Sequence, residues 1–217
     1  FGFIFTFFSS FGQSFFLGIF NSSIRNDLSI SHGQFGTIYA TATLLSSFLL
    51  IWVGKKIDDI NISKFAFFVI LLLSFSCFFF SKISSILILF VSIFLMRFSG
   101  QGMMSHTATT TVSRYFTKSR GKALSISWLG LSSAEFILPV MMIYLLTIFE
   151  WKNIWVTISI FIFIFLPFVS YFLVKNLNFE SREITKDEKY KVENIYQWKR
   201  IEVIKDYRFY IICANML

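Results

Sequence analysis

Six long apolar runs dominate this sequence of 217 residues and leave few folds open to it. A helix needs about 20 mostly apolar residues to cross the hydrocarbon layer of a bilayer. The runs cover residues 1–20, 34–54, 65–81, 85–112, 122–148 and 154–174. Hydrophobic residues make up 55% of the chain and charged residues 15%, which excludes a soluble enzyme and a disordered chain. The pattern predicts an all-α membrane protein with six transmembrane helices.

The charged residues predict how these helices are oriented. The loops after the second and fourth runs carry seven Lys and Arg residues, and the loops on the other side carry three. The first group is Lys55, Lys56, Lys64, Arg114, Lys118, Arg120 and Lys122, and the second is Arg25, Lys82 and Lys152. Because basic loops stay in the cytoplasm, we expect a cytoplasmic N-terminus in a plasma membrane, such as the bacterial inner membrane. The net charge of +8 then reflects topology, and nucleic acid is not expected as a partner.

A polar segment follows the sixth run before a shorter apolar run ends the sequence. Residues 175–207 contain many charges of both signs, and residues 208–217 start another apolar run. We therefore expect an N-terminal six-helix transmembrane bundle at 1–174, a cytoplasmic linker at 175–207 and the truncated start of a seventh helix at 208–217. On this interpretation the chain is part of a longer protein, and the C-terminal half of that protein is its partner.

Arg97 and Glu135 are the two charged residues that lie far from a helix end. Each lies near the middle of its run, in the fourth and the fifth run respectively. A charged side chain at that depth costs about 2.5–3.5 kcal/mol on insertion scales, so it normally faces a partner or a watery cavity. Two interpretations stay open. The residues form a structural ion pair, or Arg97 holds an anionic solute and Glu135 carries a proton.

Polar residues accompany these charges on four of the six runs. Gln101 follows Arg97 after about one helical turn, so the two are expected on one helix face. Gln13 and Tyr39 stand out in similar stripes on the first and second runs. Together with Arg97 and Glu135, these three residues form the predicted solute-binding set. Serines and threonines in the stripes equally fit hydrogen bonds between packed helices.

No pattern of metal ligands or catalytic residues is present in the sequence. His32 and His106 have no second histidine or carboxylate at ligand spacing, and Cys77 and Cys213 lie far apart. We interpret both histidines as structural or interfacial. The chain is therefore expected to need no metal or cofactor and not to be an enzyme.

The loop after the second run reads GKKIDDINISK at 54–64. It resembles the signature G-x-x-x-D-R-x-G-R-K of the major facilitator superfamily. Gly54 and Asp58 match in register and Lys64 continues the basic part, whereas Asp59 and Asn61 replace the usual Arg and Gly.

Three further stretches resemble the same family in the same order along the chain. RFSGQG at 97–102 is similar to its fourth helix, and YFTKSRGKA at 115–123 is similar to the loop before its fifth helix. Residues 197–209 resemble the approach to the seventh helix in the monocarboxylate and oxalate/formate branch. The resemblance covers nearly the whole chain, but its motifs do not identify a substrate.

The resemblance implies a carrier of two six-helix bundles with a solute site between them at the membrane midplane. Gly54, Asp58, Lys64 and Arg120 would form its cytoplasmic gating loops. We therefore expect a secondary transporter of a small organic solute, best matched by an organic anion such as a monocarboxylate. Transport would proceed by alternating access, with proton coupling or exchange, and the other partner is the lipid bilayer. A drug or multisubstrate efflux carrier and a transporter-like sensor that moves no solute remain alternatives.

Overall fold

A computed structural model describes residues 1–175 and 200–215, and this part of the chain contains helices and no strands. It divides into two compact units, Phe1–Leu177 and Asn178–Leu217, which are described separately. Six helices of the first unit are long and apolar enough to cross a membrane, which confirms the predicted fold class. We name them spans 1 to 6: Gly2–Ile19, His32–Asp58, Ile62–Phe80, Ile86–Tyr115, Arg120–Leu146 and Trp151–Leu173.

Span 1 is a broken helix and not the continuous one that its apolar run predicts. Its first piece is Gly2–Ser9, a 3-10 turn covers Ser10–Gly12, and the second piece is Ser14–Ile19. Gln13 between the pieces is extended, with φ −81° and ψ 155°. A short helix at Asn21–Leu28 then leads to the loop before span 2.

Spans 2 and 3 start at residues whose side chains cap the helix. In span 2, whose α-helix is His32–Val53, the Ser31 hydroxyl accepts from the Gln34 amide and the Gln34 side chain accepts from the Ser31 amide. A 3-10 turn at Gly54–Asp58 extends this span. In span 3 the Asn61 side chain accepts from the Ser63 amide at 2.9 Å. These caps satisfy amides that a helix start leaves without partners.

Span 4 changes its winding in the middle. It is α-helical at Ile86–Met96 and Ser105–Tyr115, and a π-helix at Arg97–Met104 joins the two pieces. Span 5 is one α-helix, Arg120–Leu146, and span 6 belongs to the α-helix Trp151–Lys175.

The second unit contains helices at Arg200–Lys205 and Tyr207–Asn215. The latter lies where the start of a seventh transmembrane helix is expected. Most of the expected linker at 175–207 lies outside the described residues.

The spans pack in pairs that bring distant parts of the sequence together. The largest interfaces join span 3 to span 6 and span 1 to span 5, and span 2 packs on span 4. Ser74 and Ser159 each donate to the other's carbonyl, at 3.0 and 2.8 Å. Between spans 1 and 5, Thr6 donates to the Ser127 carbonyl. Thr6 is therefore a packing residue.

Aromatic side chains fill the core of the first unit. Trp155 is fully buried, and its ring lies 4.4 Å from Phe80, 5.1 Å from Phe20 and 5.5 Å from Phe16 between centroids. This cluster joins span 6 to span 3 and to the end of span 1. Spans 2 and 5, by contrast, leave most of their residues exposed.

Candidate functional site

The break in span 1 lies directly against span 4. A Cβ atom on Gly100 would lie 2.7 Å from both Cα and N of Gly12, and one on Gly12 would lie 2.8 Å from Cα of Gly100. Real Cβ atoms essentially never come so close to backbone, so only glycine fits at both positions. The two backbones are therefore in contact where span 1 leaves helical geometry.

Span 4 forms its π-helix at this same contact. π-Helices are rare and frequently occur at functional sites. Hydrogen bonds in a π-helix span five residues, so each turn is slightly wider than in an α-helix. Arg97 is buried and Gln101 is half-buried.

Arg97 reaches from the π-helix to the break in span 1. Its Nη1 donates to the Gly12 carbonyl at 3.1 Å and to the Ser14 hydroxyl at 3.2 Å. Its guanidinium carbon lies 5.4 Å from the centre of the Tyr39 ring, at cation–π distance. Only 8% of Arg97 is exposed, and its Nε has no hydrogen-bond partner among the described residues. Arg97 therefore joins spans 1, 2 and 4 through uncharged groups.

Tyr39 and Arg97 share one acceptor. The Tyr39 hydroxyl donates to Ser14 Oγ at 2.9 Å, so this oxygen receives hydrogen bonds from both residues. Ser14 is exposed, and Tyr39 and Gln13 are half-buried, which leaves one side of the cluster open. Of the residues that the sequence predicts, Arg97, Tyr39 and Gln13 lie at this break, and the backbone of Gln101 also packs against Gly12.

Ser14 and the Gly12 carbonyl are not among the site residues that the sequence predicts. A signal was available, because Gly12 is a poor helix former and is followed by the polar residues Gln13 and Ser14 inside an apolar run. We call the group of Gly12, Gln13, Ser14, Tyr39 and Arg97 the Arg97 cluster.

Glu135 is not joined to the Arg97 cluster. Its side chain is exposed on span 5. The salt bridges within the described residues are Arg114–Asp58 and Lys152–Asp27. The structural ion pair between Arg97 and Glu135 that the sequence left open is therefore not formed.

The loop after span 2 is held to the end of span 4. The Asp58 carboxylate accepts from Arg114, which also donates from Nη1 to the Ile57 carbonyl at 3.3 Å. His106 Nε2 lies 2.9 Å from the carbonyl oxygen of Gly54. Gly54 and Asp58 of the expected gating loops are thus tied to span 4, and His106 has a structural contact.

The other two residues of the expected gating loops are not part of this contact. Lys64 and Arg120 are exposed and form no salt bridge within the part of the chain that the structure describes. Arg114, which pairs with Asp58, was counted in the sequence only as a residue that sets orientation. The position of Arg114 in the sequence does not predict this pair, because Asp58 lies 56 residues away along the chain.

Comparison with known proteins gives the family. The family model described as Major Facilitator Superfamily matches residues 2–215. No curated protein and no solved structure matches the chain. The family consists of transporters that cross the membrane several times, in agreement with the six spans. The chain therefore belongs to the major facilitator superfamily of secondary transporters.

Proposed function

We propose that the protein transports small organic anions such as monocarboxylates, by alternating access and with coupling to protons or to exchange. The observation that carries this proposal is the Arg97 cluster. Arg97, which is 8% exposed, lies in the middle of a membrane span, and within the described residues its guanidinium contacts only uncharged groups. Such a cation is suited to bind an anion.

The uncharged partners of Arg97 accept its hydrogen bonds but do not neutralise its positive charge. The Gly12 carbonyl and the Ser14 hydroxyl accept from Nη1, and Nε keeps a hydrogen without an acceptor in the described part of the chain. An ion buried without a countercharge costs several kcal/mol. A bound carboxylate removes that cost and accepts two parallel hydrogen bonds from a guanidinium. Tyr39, Gln13 and Gln101 are proposed to contact the rest of the solute.

Glu135 is proposed to carry the coupled proton. It is the only acidic residue of span 5, it is exposed on that helix, and it forms no salt bridge with a described residue. A carboxylate at this depth requires either water or a proton. The exposed face of span 5 therefore suits a water-filled path between two bundles. The second bundle would come from the C-terminal half of the full-length protein.

The Asp58–Arg114 pair supports a gating role for the cytoplasmic loops. Gly54 and Asp58 hold the loop after span 2 on span 4, whereas Lys64 and Arg120 extend from the surface. We propose that these two cations contact the second bundle when the cytoplasmic side is closed. The proposal includes a plasma-membrane location with the N-terminus in the cytoplasm.

The anion site is tested by uptake of labelled lactate into proteoliposomes that contain the intact protein. Arg97→Gln should lower kcat/KM about tenfold to a hundredfold, because a hydrogen bond to a charged group contributes about 1.5–3 kcal/mol. The kcat/KM of Arg97→Lys should lie between those of the wild type and Arg97→Gln, since lysine keeps the charge but not the planar guanidinium group. The control is Arg25→Gln, because Arg25 binds Asn21 at 2.7 Å outside the cluster. Normal uptake by a stably folded Arg97→Gln protein would contradict the proposal.

The proton role is tested by the pH dependence of the same uptake. Wild-type uptake should rise with an inward proton gradient, and Glu135→Gln should remove this response while exchange of labelled for unlabelled lactate continues. Glu150→Gln is the matched control, because Glu150 is exposed in the loop between spans 5 and 6 and not in the middle of a helix. A wild-type protein that does not respond to the gradient would exclude Glu135 as a proton carrier.

Efflux of apolar cations is the second candidate, and the surroundings of Glu135 favour it. Trp128 is 39% exposed and Phe136 is 81% exposed on the same span. An acidic residue beside exposed aromatic rings suits an apolar cation. This candidate would replace anion transport if the wild-type protein transported a cationic dye and took up no lactate. Glu135→Gln should then abolish transport of the dye.

A further inference from the structure

A cleft of about 560 Å³ lies beside the loop between spans 4 and 5. It is formed by the first residues of spans 1 and 5 and the last residues of spans 4 and 6. Its walls include Phe3, Val112, Ile126 and Leu173. Phe3 is 42% exposed and Ile126 is 61% exposed, so the apolar wall continues onto the outer surface of the helices. Where such a surface faces acyl chains, a lipid chain has access to the cleft.

The polar end of the cleft is strongly basic. Lys122 lines it, and Lys118 and Arg120 lie in the adjoining loop. None of the three forms a salt bridge within the described residues, and the sequence contains no acidic residue between Asp59 and Glu135. Arg114, by contrast, is neutralised by Asp58. Among the described residues, the cleft therefore combines an apolar wall with positive charge that no salt bridge neutralises.

Thr111 supplies a buried hydroxyl in the same cleft. Thr107 and Thr109, in the same helix, donate to the carbonyls four residues before them, at 2.7 and 2.6 Å. Thr111 also lines the cleft and is 2% exposed, but its Oγ1 has no hydrogen-bond partner among the described residues. An unpaired buried hydroxyl is unfavourable, so rotation of the Thr111 side chain toward an acceptor oxygen on a ligand would stabilise it.

We propose that this cleft binds an anionic phospholipid from the leaflet that the basic loops face. The acyl chain packs along Val112 and Ile126, the phosphate lies at Lys122, and an ester or phosphate oxygen accepts from Thr111. Basic pockets between transmembrane helices on the cytoplasmic side bind anionic headgroups by the same physics. The site is separate from the Arg97 cluster and does not depend on which solute is transported.

The proposal is tested with the intact, delipidated protein in detergent, by native mass spectrometry with phosphatidylglycerol and phosphatidylcholine of identical acyl chains. Phosphatidylglycerol should bind at least fivefold more tightly. Lys122→Gln should weaken its binding about fivefold, as expected for one basic residue at a headgroup, and should leave phosphatidylcholine unaffected. Lys64→Gln is the matched control, because Lys64 is an exposed lysine in the first turn of span 3, as Lys122 is in span 5, and does not line the cleft.

Thr111 provides a second and independent measurement. Thr111→Val, which keeps the shape but removes the hydroxyl, should lower phosphatidylglycerol binding severalfold, and Thr111→Ser should keep it. Any of three results would overturn the proposal: equal binding of the two lipids, an equal loss in Lys64→Gln and Lys122→Gln, or unchanged binding by Thr111→Val. Competition by glycerol 3-phosphate at equal concentration would also overturn it, because the cleft would then bind a free phosphate.

Discussion

Arg97 shows how a membrane span accommodates a cation beside uncharged groups. Its depth in the fourth apolar run follows from counting residues in the sequence, and this depth already marks it as a candidate site residue. Its acceptors do not follow from the sequence, because Gly12 and Ser14 lie 85 and 83 residues away. A hydrogen bond between distant residues depends on how helices pack, which hydropathy does not encode.

Asp58 is predicted to restrain the loop after span 2 through its salt bridge with Arg114. Asp58→Asn removes the ionic part of this contact, which for an exposed pair is worth about 0.2–1 kcal/mol. Hydrogen–deuterium exchange of the peptide 54–61 should therefore become up to about fivefold faster.

The neighbouring carboxylate gives the control for this measurement. Asp59 is also exposed, but it forms no salt bridge within the described residues. Asp59→Asn should leave exchange of the peptide unchanged, after correction for the intrinsic rate. Equal acceleration in the two variants would show that loop charge alone, and not the pair with Arg114, controls this loop.

At the scale of elements, the two irregular segments face each other. Span 1 is broken at Ser10–Gly12 and span 4 is a π-helix at Arg97–Met104, and Gly12 and Gly100 bring their backbones into contact. Apolar runs predict both spans, because a helix satisfies its own backbone hydrogen bonds in lipid. The irregular segments depend on a contact between helices, so a periodicity within either helix does not predict them.

Gly100→Ala is predicted to destabilise this contact. The added Cβ would lie 2.7 Å from Gly12 backbone atoms, which cannot move as a flexible side chain does. Overpacking of this kind typically costs about 1–3 kcal/mol, so the Tm of the purified protein should fall by several degrees.

Gly18→Ala is the matched control, because no atom lies within 4 Å of a Cβ at that position. Alanine is a better helix former than glycine by about 0.8–1 kcal/mol, so this variant should be as stable as the wild type or more stable. A Gly100→Ala protein with the wild-type Tm would mean that the two backbones separate at little cost.

At the scale of the whole molecule, the distribution of charge predicts the orientation in the membrane. Ser119 lies in the basic loop between spans 4 and 5, and Ser84 lies in the loop between spans 3 and 4; both are exposed. With Cys77 and Cys213 replaced, a membrane-impermeant maleimide should label Ser84→Cys in intact cells. It should label Ser119→Cys only after the membrane is opened. The reverse pattern would place the N-terminus outside.

The sequence by itself determined the helical class, the number of spans and the family. These properties follow from local quantities, namely the length of each apolar run and the short loop motifs around Gly54 and Arg120. Only the tertiary structure decided that span 1 breaks at Gly12, that Ser14 and Tyr39 surround Arg97, and that Asp58 pairs with Arg114. The physical reason is that a helix satisfies its backbone within one segment, whereas a buried charge obtains its partners from whichever helices pack beside it.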